Sequence, residues 1–188
     1  MDFNWLIPVI IALMVYACVY YYLKSRKVLP HVIDFMGPCI MIKTERVGFF
    51  DTLARPKKLL YAYATAGVLI TLLCAVVVTV MFLVSGILSL TVQTDPIPPQ
   101  DLLLIPGLNS YVPSTFAVWF ALFFAMIIHE AGHGIISRVE KMRVKSTGLL
   151  TLIIPIGAFV ESYGEDVEKA TLGSKLRMFA AGITNNMV

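Results

Sequence analysis

The residues of this chain best suited to chemistry are the five from 129 to 133, which read His-Glu-Ala-Gly-His. On a helix, positions four residues apart lie on one face, so the rings of His129 and His133 can both direct a nitrogen at one zinc ion. Glu130 then lies beside the metal, where a carboxylate can take a proton from an attacking water molecule. The motif therefore predicts a zinc site with His129 and His133 as metal ligands and Glu130 as general base.

The motif lies within an apolar segment that is long enough to cross a membrane. A charged or strongly polar side chain at the centre of a bilayer costs about 2.5–3.5 kcal/mol on insertion scales, so such residues are usually functional. They also face other helices or a water-filled cavity rather than lipid. We therefore expect the helix that carries the motif to line a polar cavity.

The composition is typical of an α-helical integral membrane protein. Hydrophobic residues make up 58% of the chain and charged residues only 14%. Three apolar runs, at about 3–23, 59–90 and 116–137, each reach the ~20 residues needed to cross about 30 Å of hydrocarbon. The first run has no basic stretch before it and is too long for a signal peptide, which favours a retained anchor. We therefore expect three full transmembrane helices.

The positions of the fifteen basic residues predict how the chain is oriented. Eight lie at 24–58 and seven at 138–177, whereas the connection 91–115 contains none. With three crossings the two basic stretches lie on one side, which the positive-inside rule makes cytoplasmic. The amino terminus is then outside, and His129, nine residues before Arg138, lies nearer the cytoplasmic face. The net charge of only +3 gives little support to a nucleic-acid partner.

Two segments outside the apolar runs predict smaller elements. Residues 30–58 alternate short apolar groups with charges, which favours a strand or turn and then an interfacial segment around 49–53. The run 148–160 is too short to span a membrane as a helix, and its Ile, Leu and Thr content favours two strands around a turn at 155–157. We expect this small membrane-associated β element to lie beside the cavity. Its edge either pairs with an extended substrate or simply closes the cavity.

Three blocks of sequence, taken in order, resemble the site-2 protease family of intramembrane zinc metalloproteases. They lie at 129–134, 155–161 and 177–186, so the resemblance covers roughly residues 116–188. The extra amino-terminal helix is similar to that of the branch that includes the animal sterol-regulatory enzyme and its archaeal relatives. The resemblance implies regulated intramembrane proteolysis: a zinc metalloendopeptidase, with Zn²⁺ as cofactor, that cleaves transmembrane segments of single-pass membrane proteins.

The same resemblance implies roles for individual residues. His129 and His133 would be two zinc ligands, and Glu130 would be the general base. Asn186 would lie near the metal and either stabilise the oxyanion or hold substrate. In the family, the third ligand is an aspartate in an Asp-Gly motif on a later helix. The last aspartate of this sequence, Asp166, is followed by valine, so no such motif occurs after the zinc-binding helix.

The last apolar run, at 178–188, is too short to cross a membrane and predicts the start of a fourth transmembrane helix. We therefore expect a fragment with two parts. Residues 1–58 would form an amino-terminal anchor helix and a cytoplasmic interfacial segment. Residues 59–188 would be the amino-terminal part of the protease core, truncated before the third zinc ligand.

Two alternatives remain open from the sequence. One is a different membrane zinc protease whose third ligand is a glutamate, either Glu161 or Glu165, although both lie farther from His133 than in the thermolysin-like arrangement. The other is a non-catalytic membrane zinc-binding protein or a pseudoprotease. Glu130 argues against a carrier, because a carrier needs no base between two metal ligands.

Overall fold

The computed structural model describes residues 6–92, 97–152 and 155–187. Its helices and strands within those ranges are, in chain order, α1 (Leu6–Arg26), β1 (Ile33–Met36), β2 (Cys39–Thr44), α2 (Gly48–Leu53), α3 (Lys57–Ser89), α4 (Phe116–Val139), β3 (Val144–Thr151), β4 (Pro155–Ser162), α5 (Gly164–Lys169) and α6 (Leu172–Met187). A short 3-10 turn, Pro99–Leu102, lies between α3 and α4. The architecture is therefore helical, with one small sheet inserted into it.

Two helices among the described residues, α3 and α4, are long and apolar enough to cross a membrane. They confirm that the second and third apolar runs form helices of spanning length, and both are candidate membrane spans. α3 has 33 residues and is therefore about 50 Å long, which exceeds the hydrocarbon thickness and requires tilt or extension beyond it. α1 is helical over 21 residues, but its crossing of the membrane, and with it the count of three full spans, stays a prediction.

Helix α6 packs between α3 and α4, and small residues allow the close approach. Gly67 of α3 lies against Thr184 of α6, and a Cβ atom at position 67 would be only 2.8 Å from the Thr184 methyl group. On the other side of α4, the ring of Phe50 from α2 fills the space that a side chain at Gly134 would occupy. Phe50 is 1% exposed. α4 therefore has α6 on one side and α2 on the other.

The sheet is antiparallel throughout, with strand order β1-β2-β3-β4. It joins the predicted strand region after α1 to the predicted hairpin after α4, and it confirms strands in both places. Ile42 of β2 pairs with Leu149 of β3, and Gly148 allows the β2 backbone to come close, since a Cβ there would meet the Ile42 carbonyl. Tyr20 of α1 donates its hydroxyl to the Gly37 carbonyl at 2.7 Å, which docks α1 on the β1–β2 turn.

The predicted turn at 155–157 is wrong, because those residues begin β4. Gly157 pairs with Leu150 and Pro155 with Thr151, so the connection between the strands lies at 152–154, of which 153–154 are outside the described residues. The ladder also extends past the apolar run at its polar end. There Lys145 Nζ and Ser146 Oγ both bond the Glu161 carboxylate at 2.8 Å. Hydrophobicity alone did not indicate this polar extension.

An ion pair fixes the amino-terminal half of α6 against the end of α4. Arg177 donates two hydrogen bonds to the carboxylate of Glu140, at 2.5 and 3.1 Å, and its guanidinium lies 4.2 Å from the centre of the Tyr61 ring of α3. The Glu140 side chain is only 7% exposed. Burial alone would raise the pKa of Glu140, but hydrogen bonds from Arg177 and Ser174, together with the positive charge of Arg177, outweigh burial and hold that pKa below its ordinary value.

Removing one member of this pair should destabilise the fold markedly. In Arg177→Met the Glu140 carboxylate stays buried without its partner, which typically costs about 3 kcal/mol or more. We expect the free energy of unfolding, measured by denaturant titration in detergent micelles, to fall by about that amount. The double variant Glu140→Met with Arg177→Met should recover most of it, because an apolar pair needs no counter-charge. If the double variant lost as much free energy of unfolding as Arg177→Met, the effect would come from the lost packing of Arg177 on Tyr61.

Candidate metal centre

The three residues of the motif come together on α4 as the sequence spacing predicts. Their ligand atoms lie within 4.8 Å of one another, and all three residues are partly buried. Among the described residues, this is the group of His, Cys, Asp or Glu side chains that can hold a metal ion. The rings of His129 and His133 are edge-to-face, with centroids 4.9 Å apart. Helix periodicity accounts for this arrangement, since residues four apart share a face.

The backbone of α6 sets the tautomer of His133. Its Nδ1 atom lies 2.7 Å from the carbonyl oxygen of Met178. A carbonyl oxygen can only accept a hydrogen bond, so Nδ1 carries the proton and donates it. Nε2 is then the unprotonated nitrogen that can bind a metal, the usual arrangement for a metal-binding histidine.

Asn186 of α6 contacts the other histidine of the motif, His129. Its amide nitrogen lies 3.1 Å from His129 Nδ1. A half-turn of the Asn186 amide about its Cβ–Cγ bond exchanges the positions of its oxygen and nitrogen. With Oδ1 toward the ring, Asn186 accepts from Nδ1–H and His129 Nε2 is free for a metal. The proposed action of Asn186 on an oxyanion or substrate stays a prediction.

Both Nε2 atoms converge on Gly182, the point where α6 has no side chain. A Cβ atom at this position would lie 2.6 Å from His133 Nε2 and closer still to His129 Nε2. Any other residue would therefore fill the space in front of the two ring nitrogens. Two imidazole nitrogens and a nearby carboxylate are the donor set that suits zinc, so the chemistry of these residues fits a metal. Nothing in the sequence singled out Gly182 for this role.

The carboxylate of Glu130 is held by the sheet. Its Oε2 accepts a hydrogen bond from the backbone N–H of Val160 in β4, at 3.1 Å. The sequence placed the hairpin beside the cavity, but it did not indicate that a strand amide would orient the predicted base. This contact makes β4 part of the site, because it limits the rotamers that Glu130 can adopt.

A cavity of about 380 Å³ opens beside Glu130 and His133. It is also lined by Ser137 of α4 and Ser162 of β4, whose hydroxyl oxygens lie 3.2 Å apart. Such a volume holds several water molecules, and the polar groups on its wall can bond them. The motif therefore borders a cavity, but the rest of its wall is apolar and consists of Val160, Val167, Met178 and Phe179.

The structure disfavours the alternative third ligands. Neither Glu161 nor Glu165 is part of the metal-capable group found among the described residues. Glu161 is bonded to Lys145 and Ser146 instead. Asp166 is also engaged elsewhere, because Arg143 donates to it at 2.7 and 2.8 Å and holds its pKa at about 2.

Residues 117–188 match the family model described as peptidase family M50. The predicted resemblance to the site-2 protease family is confirmed for this region. The M50 region begins one residue into α4 and contains every residue of the candidate metal centre. The family is one of membrane-embedded metalloproteases, which agrees with the two candidate membrane spans.

An uncharacterized protein of the archaeon Methanocaldococcus jannaschii is 36% identical to this chain over 69 residues. The aligned segment is 36% of this chain and 19% of that relative. The match therefore spans only about a fifth of the length of this curated relative. No solved structure matches the chain.

Proposed function

We propose that this chain contributes the metal-binding part of an intramembrane zinc metalloprotease. The observation that carries the proposal is the convergence of His129 Nε2 and His133 Nε2 opposite Gly182, with the Glu130 carboxylate beside them. The group lies on α4, a candidate membrane span, within the region that matches peptidase family M50. A soluble peptidase would have no need of this apolar setting.

His129 and His133 would hold the zinc ion, together with a third ligand that the family resemblance implies to be an aspartate of an Asp-Gly motif. When bound, the metal polarises the scissile carbonyl and lowers the pKa of water toward ~7. Glu130 takes a proton from the attacking water and later gives it to the leaving amine. The Val160 N–H keeps the Glu130 carboxylate in place, and Asn186 stabilises the oxyanion or holds substrate. Water arrives through the cavity lined by Ser137.

The arrangement of charged helix ends supports the predicted orientation. Arg177, at the beginning of α6, contacts both Tyr61, near the start of α3, and Glu140, just after α4. The basic stretches at 24–58 and 138–177 therefore approach each other at one end of the bundle. We propose that this end is cytoplasmic, that the amino terminus is outside, and that the metal centre lies nearer the cytoplasmic face.

The substrates that we propose are transmembrane segments of single-pass membrane proteins, cleaved in regulated intramembrane proteolysis. A centre on a membrane-spanning helix meets other membrane spans laterally within the bilayer. A substrate helix has to unwind first, because its carbonyl groups are hydrogen-bonded within the helix. The partners that we propose are therefore the lipid bilayer and a membrane protein.

The test of this function is zinc bound per chain after purification in detergent. We would compare the 188-residue chain, a form extended at its carboxyl end so that it supplies the third ligand, and the extended form with His133→Ala. We expect about one zinc per extended chain. The His133→Ala variant should lose it. The matched control is His31→Ala, because His31 is exposed in a turn far along the chain from the motif.

Two outcomes would contradict the proposal. An extended form without zinc would overturn the metalloprotease assignment. An extended form that binds zinc but does not cleave any reconstituted single-pass membrane protein, although Glu130 is intact, would favour the non-catalytic zinc protein or pseudoprotease.

A further inference from the structure

Asn185, the residue beside Asn186, joins α6 to both neighbouring helices through its side-chain amide. Its Oδ1 accepts a hydrogen bond from the hydroxyl of Tyr63 on α3, at 2.8 Å. Its Nδ2 donates to the carbonyl oxygen of Ile128 on α4, at 3.0 Å. Because the hydroxyl is the donor in the first bond and a carbonyl must be the acceptor in the second, the orientation of this amide is determined.

Gly132 makes the bond to α4 possible. A Cβ atom at position 132 would lie 2.5 Å from Asn185 Nδ2 and 2.9 Å from the carbonyl oxygen of Ala181. The backbones of α4 and α6 therefore meet here at a distance that only glycine allows. In an apolar bundle such a hydrogen bond is not exchanged for one to water, which strengthens its hold on the helices.

The hydrogen-bonded amide of Asn185 lies beside each group that α6 presents to the metal centre. Ile128 directly precedes His129, so the Asn185 bond ties α6 to the backbone at that ligand. The next residue of α6, Asn186, contacts His129 Nδ1, and Gly182 lies almost one turn earlier against both ring nitrogens. A small rotation or slide of α6 would disturb all of these contacts together.

We propose that Asn185, held by Tyr63, is a positioning residue that sets the rotation and depth of α6 against the two histidines. The inference rests on the proposed zinc function, since it concerns the geometry of that site. Asparagine suits the role because one short side chain has to accept from α3 and donate to α4. Leucine has the same size but offers neither bond, and Tyr63→Phe removes only the bond from α3.

The test is the zinc affinity of the extended form, measured by competition with a chelator, and the absorption spectrum of the same protein loaded with cobalt(II). Loss of a residue that orients metal ligands typically weakens metal binding 10–100-fold. For Asn185→Leu we expect about tenfold weaker zinc binding and a changed cobalt spectrum. Tyr63→Phe should weaken binding a few-fold, because one of the two bonds survives. The matched control is Tyr61→Phe, on the same helix, which should leave zinc affinity unchanged.

Thermal unfolding of the metal-free proteins separates positioning from stability. A merely structural asparagine would lower the unfolding temperature of the metal-free protein and leave the zinc affinity of the folded fraction unaltered, and that result would overturn the inference. Wild-type affinity in both Asn185→Leu and Tyr63→Phe would also overturn it while leaving the zinc function intact. Absence of zinc from the unsubstituted extended form would overturn the zinc function itself. If Asn185→Leu fails to fold, the comparison of Tyr63→Phe with Tyr61→Phe decides the question.

Discussion

Glu130→Gln should abolish peptide-bond cleavage and leave zinc bound. Glutamine has nearly the same size, and its Oε1 can still accept the Val160 N–H that now lies 3.1 Å from the carboxylate, so the side chain should stay in place. An amide cannot take a proton from water at neutral pH, and loss of a general base typically costs 10²–10⁴-fold in rate. The measurement is cleavage of a single-pass membrane protein co-reconstituted with the extended form in liposomes, alongside zinc content.

The matched control for Glu130→Gln is Glu45→Gln, a change of the same chemistry at an exposed residue before α2. It should cleave at the unsubstituted rate. Retained turnover in Glu130→Gln would rule out Glu130 as the base. Loss of zinc together with turnover would instead make Glu130 a metal ligand, which its proximity to both histidines allows.

Gly182→Ala should remove zinc from the site, although it adds only one methyl group. The added carbon would lie 2.6 Å from His133 Nε2 and closer to His129 Nε2, in the space where both nitrogens would meet a metal. Relief requires α6 to withdraw, and withdrawal would break the bonds that Met178 and Asn186 make to the same two rings. We expect zinc affinity to fall by at least about 100-fold, the upper end for disturbed metal surroundings.

A second glycine of α6 provides the control for this substitution. A Cβ atom at Gly173 would have Arg177 Nη1 as its nearest neighbour, at 3.4 Å, which is an ordinary van der Waals contact. Gly173→Ala should therefore bind zinc normally and gain slightly in stability, since alanine is the better helix former. If Gly182→Ala also bound zinc normally, Nε2 would not be the liganding atom of either histidine.

The most secure sequence inferences concern local geometry. A His-x-x-x-His spacing places both rings on one face of any α-helix, so the pairing of His129 with His133 followed from helix period alone. Apolar runs of sufficient length predicted α3 and α4, and the Pro/Gly-interrupted run after them predicted a strand pair. These patterns depend on residues close together in the chain, where geometry leaves few alternatives.

The sequence was less accurate where the ends of elements depend on pairing. The turn expected at 155–157 lies earlier because the register pairs Ser146 with Glu161 and Leu150 with Gly157, so residues 155–157 belong to β4. Cross-strand partners are separated in the chain, so hydrophobic pattern alone could not reveal this register.

What the sequence by itself determined, then, is the motif, its helix and its apolar setting. The tertiary structure decided the protonation and orientation of the side chains in the motif. The Met178 carbonyl selects the tautomer of His133, and the Val160 N–H orients Glu130. Gly182 places no side chain in front of the two ring nitrogens. Two of these contacts are made by backbone atoms, which every residue type possesses and no motif can reveal. The third depends on a missing side chain, and a glycine acquires that meaning only when another helix is packed against it.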